Sequence, residues 1–111
     1  MEIGATMRFP GDAASDEIAL QSIACGCGFH GIAVYEESRR GALDDDSFHH
    51  TGYRLDPGVS EEIATRVAAC RGDERCACEA HRKFGRTDEF GRWAGLDGLA
   101  ILSSFPMRLA R

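Results

Sequence analysis

Within twelve residues, Cys70-Arg-Gly-Asp-Glu-Arg-Cys76-Ala-Cys78-Glu-Ala-His81, the chain carries three thiols and an imidazole. No other stretch narrows the possible folds so far. Cys76 and Cys78 stand two apart and diverge on a helix, so their joint use at one point demands non-helical backbone at Ala77. The segment therefore reads as a break between two helical pieces.

The first piece has the clearest helical pattern in the chain. Ile63, Val67 and Cys70 fall on one face, with Ala64 and Ala68 beside them, and Ser60 followed by Glu61 and Glu62 suits a cap and the positive end of a helix. Gly72 is a stop signal and Asp73 a cap for a second helix, with Ala77, Ala80, His81 and Phe84 on one side. Arg71-Gly72-Asp73 thus reads better as a stop followed by a cap than as an adhesion tripeptide. The two helices are expected over about 60–71 and 73–84.

Upstream, Ile3, Ala5, Met7 and Phe9 alternate as on one side of a strand. Pro10-Gly11-Asp12 is a turn. The run after Ser15, through Ile18, Leu20 and Ile23, fits a short helix or an extended segment equally. Ile32–Tyr35 and the stretch from His49 to Leu55 read as strands, closed by Asp56-Pro57-Gly58. The run Asp44-Asp45-Asp46 lacks the interleaving of a hard-cation loop, so residues 41–50 read as a solvated acidic loop. Thr87–Gly98 is a loop, and a terminal strand is expected from Phe105 onward, with Pro106 placing it at a sheet edge. These elements predict a small α+β domain, an antiparallel sheet packed against the two consecutive helices.

Cysteine and histidine types set the chemistry. Zinc takes four ligands tetrahedrally, and thiolate sulfur and imidazole nitrogen both suit it. The usual knuckle places two to four residues between cysteines, so Cys76-x-Cys78 is tight. That spacing favours a site assembled from two Cys-x-Cys pairs, Cys25/Cys27 and Cys76/Cys78, with Cys70 and His81 as alternative ligands. Gly26 and Gly28 let the first pair turn inward. The resulting expectation is a metal-binding protein, zinc first, with the metal structural or presented to a partner. An iron-sulfur cluster or thiol-disulfide redox chemistry is the alternative, since Arg71, Arg75 and Arg82 lie near enough in sequence to lower a thiol pKa. A third reading keeps the thiols merely buried, Cys70 foremost on its apolar stripe, in an acidic interaction or inhibitory module. His30, His49 and His50 read as surface or hydrogen-bonded residues. Tyr35-Glu36-Glu37 places its two carboxylates on diverging directions, against paired acid/base work.

Composition narrows the partners. The 111 residues suit a single domain, and no apolar run approaches a membrane span. A cytoplasmic location is the expectation. Residues 1–62 carry twelve Asp/Glu and four Arg, a net −8, against +3 in the remainder. That split leaves a basic protein partner open, whereas a net charge of −5 and a single lysine argue against nucleic acid. No dinucleotide fingerprint, phosphate loop or nucleophile elbow is present. Whether the chain is an enzyme stays open at this point.

Overall fold

The computed structural model describes residues 2–12, 16–26, 28–38, 47–70, 76 and 78–107, the side chains of Ser47 and Phe48 excepted. The readings made at Ser15, Cys27, 41–46, 71–75 and Ala77 lie outside these residues. The described chain runs β1 (Glu2–Phe9), β2 (Glu17–Ala24), β3 (His30–Ser38), β4 (Ser47–Leu55), α1 (Pro57–Ala69), α2 (Glu79–Phe84) and β5 (Ile101–Pro106). The strands form one antiparallel sheet in the order β1-β2-β3-β4-β5, so each strand lies beside its neighbour in sequence. The expected α+β class is observed.

Period-two patterning explains the packed face. Met7 pairs with Leu20, and Leu20 with Val34, which carries one apolar row across three strands. Phe9, Ile18, Ile32 and Leu55 extend it, and Ile63 and Val67 of α1 with Ala80 and Phe84 of α2 close over it. The segment that fitted helix or strand is β2, because alternation of Ile18 and Leu20 matches the row supplied by its neighbours. A register shift between Ile3 and Thr6 ends the alternation in β1, and Ile3 is exposed.

On the other face, small residues admit aromatic rings. A Cβ at Gly52 would collide with the Phe105 ring, and one at Gly31 would stand 2.8 Å from the Phe29 ring. The two rings meet edge to face at 6.0 Å, and Arg54 lies 5.9 Å from the centre of Phe29. His49 is exposed and His50 buried, as expected for neighbours on a strand.

Three boundaries differ from the sequence expectation. Helix α1 begins at Pro57, so Asp56-Pro57-Gly58 opens it as well as ending β4. Asp56 is the cap, its Oδ1 accepting from the Gly58 amide at 3.0 Å, and Pro57 sits where its missing N–H costs nothing. Ser60 is inside the helix, its amide already donating to the Asp56 carbonyl at 2.9 Å, and Glu61 and Glu62 lie beyond the first turn. The second helix is confined to Glu79–Phe84 and is capped by Cys78. Strand β5 starts at Ile101, four residues before the expected Phe105, and its edge position agrees with Pro106.

Candidate metal centre

Cys70 ends α1, Cys78 begins α2, and His81 lies in the first turn of α2. These groups converge with Cys76 on one point. One ligand atom from each of Cys70, Cys76, Cys78 and His81 lies within 4.8 Å of the other three. His81 Nδ1 is 3.2 Å from Cys70 Sγ and 3.3 Å from Cys78 Sγ. A tetrahedral zinc with ordinary bond lengths sets sulfur about 3.6 Å from nitrogen and about 3.8 Å from sulfur. The four groups therefore need only small displacements to surround an ion.

The imidazole is held in the form such an ion requires. His81 Nε2 is 2.7 Å from the Arg8 carbonyl oxygen, which has no proton to give, so Nε2–H donates. In the neutral ring this leaves Nδ1 with a lone pair aimed at the thiols, the second-sphere arrangement usual for a metal-ligating histidine. Phe9 packs against the ring at 5.2 Å between centroids, and His81 is only 8% exposed. The ring has little freedom to turn away.

The Cys78 sulfur lies within 4.8 Å of the Cys70 and Cys76 sulfurs. The His81 amide, 3.4 Å from Cys78 Sγ, does most to push that thiol below its ordinary pKa; burial opposes the shift, and the Cys76 and Cys70 thiols assist it. Cys70 and Cys78 also pack against the apolar core, so the expectation that Cys70 belongs to the core stripe is met in part while its sulfur faces the cluster. None of the three thiols is in a disulfide, and all are half-buried.

The structure assembles the local set and leaves Cys25 out of it. Cys25 is disulfide-bonded in the turn after β2, where its amide donates to the Phe29 carbonyl and Gly28 takes a φ of 94°. Ala19, opposite Arg8, marks the cluster's end of β2 and Ala24 the other end. Five residues of extended chain, roughly 17 Å, separate those ends. A site joining Cys25 to Cys76 and Cys78 is thus opposed by the length of a strand and by the bond that already occupies the Cys25 sulfur. Cys27 lies outside the described residues.

Neighbouring groups brace the cluster. Trp93 donates from Nε1 to the Phe84 carbonyl at 2.7 Å and from its amide to Asp12 Oδ2, closing the loop after α2 over Phe9. Arg66 reaches Glu62 at 3.2 Å and Glu79 at 3.5 Å, linking α1 to the start of α2. The sequence reading missed the Arg8 carbonyl, and no sequence signal marks it, because every residue carries one. No family model, curated protein or solved structure matches the chain.

Proposed function

We propose that this chain is a zinc-binding protein whose ion, held by Cys70, Cys76, Cys78 and His81, is structural. The observation that carries this reading is the His81 ring, donating from Nε2 to the Arg8 carbonyl while Nδ1 faces two sulfurs. Three thiolates and one imidazole complete a tetrahedral shell and leave no open position for a reacting water, which is the arrangement of structural rather than hydrolytic zinc. The ion fastens the end of α1, the start of α2 and, through His81, the Arg8 backbone of β1.

The sulfur-rich donor set favours zinc over calcium or magnesium, which take oxygen ligands. The test is elemental analysis of protein refolded with zinc and freed of excess by gel filtration. One equivalent of zinc in wild type, with most of it lost in His81→Ala, is the expected result. Full occupancy in His81→Ala would remove the imidazole from the site. Iron with labile sulfide after expression without added metal would favour the cluster reading instead.

A further inference from the structure

We propose that Cys76 is a site of reversible oxidation by hydroperoxides, and that its disulfide with Cys78 ejects the bound metal. This rests on the zinc reading for its consequence, though not for the oxidation itself. Three observations carry it. Cys70 and Cys78 pack against the apolar core, whereas Cys76 does not. Cys76 instead lines an open cavity of about 320 Å³, together with Asp12, His81, Arg82 and Trp93. Cys78, whose sulfur lies within 4.8 Å of the Cys76 sulfur, is placed to resolve the oxidised sulfur.

Hydrogen peroxide fits that cavity many times over, so the half-buried sulfur is reached from the cavity without opening the core. The Cys76 thiolate attacks one peroxide oxygen, the O–O bond breaks, and the departing hydroxide takes a proton to leave as water. Cys76 is then a sulfenic acid. The Cys78 thiolate attacks the Cys76 sulfur, the S–O bond breaks, and the second hydroxide leaves as water with a second proton. In total two thiolates, one peroxide and two protons give one disulfide and two waters, a two-electron oxidation of sulfur. Cys70 and His81 alone then remain as ligands, too few for a tetrahedral site. A dithiol reductant reverses the step, returning both thiolates.

The experiment treats the full chain, zinc-loaded and zinc-free, with hydrogen peroxide. Zinc release is followed with a chromogenic chelator, and the thiols are mapped by alkylation and mass spectrometry. The expected result is release of one zinc per chain together with loss of the Cys76 and Cys78 thiols, a Cys76–Cys78 disulfide, and recovery of binding after dithiothreitol. Zinc retained with all three thiols alkylated overturns the proposal, and so does a disulfide that leaves Cys76 or Cys78 free. Failure to load zinc defeats the functional reading before peroxide is added, while mapping of the zinc-free chain still decides whether Cys76 and Cys78 pair.

Discussion

At Ser60 the sequence and the structure assign opposite signs to the same hydroxyl. A serine before an acidic pair reads as a stabilising cap, yet Ser60 is 1% exposed and its Oγ has no partner among the described residues. A buried hydroxyl without a hydrogen bond costs about 1–3 kcal/mol. Ser60→Ala is therefore expected to raise stability by about 1 kcal/mol in chemical denaturation; a loss of similar size would mean that the hydroxyl is satisfied. His50 is the other buried polar residue with an orphaned atom among the described residues: Nε2 meets Gln21 Oε1 at 2.8 Å, while Nδ1 has no partner there. Burial pushes the His50 imidazole below its ordinary 6.5. Above that value both folded and unfolded chains hold it neutral, and as pH falls the unfolded chain takes the proton first. Stability thus declines from about pH 6.5 down to the folded-state pKa. His50→Gln should make that decline shallower, and an unchanged slope would show that the folded chain accepts the proton freely.

At the level of elements, what could be read from sequence was whatever repeats locally. Alternation in Met7/Phe9 and in Ile18/Leu20 marks faces that burial then explains, and Ile63/Val67 marks the buried side of α1. The start of α1 was harder, because Asp56-Pro57-Gly58 spells both a turn and a cap, and only the backbone after it decides. Asp56→Ala should cost about 1 kcal/mol by removing the bond to the Gly58 amide, while Ser60→Ala should not; the pair separates the two assignments of the cap. The candidate ligand cluster was legible only as alternatives. Spacing alone made Cys76-x-Cys78 look too tight for a local site, but Cys70 at the end of one helix and His81 inside the next supply the remaining two groups. That Cys25 lies a strand's length away depends on register, which no local pattern announces.

Across the whole molecule, the cluster links the end of α1 and the start of α2 with β1. α2 has only six residues, too short to hold a helix unaided, so its position depends on packing and on the groups at its start. An ion there would couple binding to folding: free zinc at one hundred times its Kd would add about 2.7 kcal/mol. Chelation should lower the melting temperature of the domain as a whole, seen as one cooperative transition by both far-ultraviolet dichroism and Trp93 fluorescence. Affinity should also weaken as pH falls, since protons compete for the thiolates and for Nδ1. No helix among the described residues is long and apolar enough to cross a membrane. The central claim, that the ion belongs to the local cluster, is tested most directly by zinc stoichiometry measured in parallel on wild type, Cys78→Ser and Cys25→Ser. One equivalent in wild type and in Cys25→Ser, with Cys78→Ser reduced to a small fraction, is the predicted result. Full zinc in Cys78→Ser, or loss in Cys25→Ser equal to that in Cys78→Ser, would contradict it.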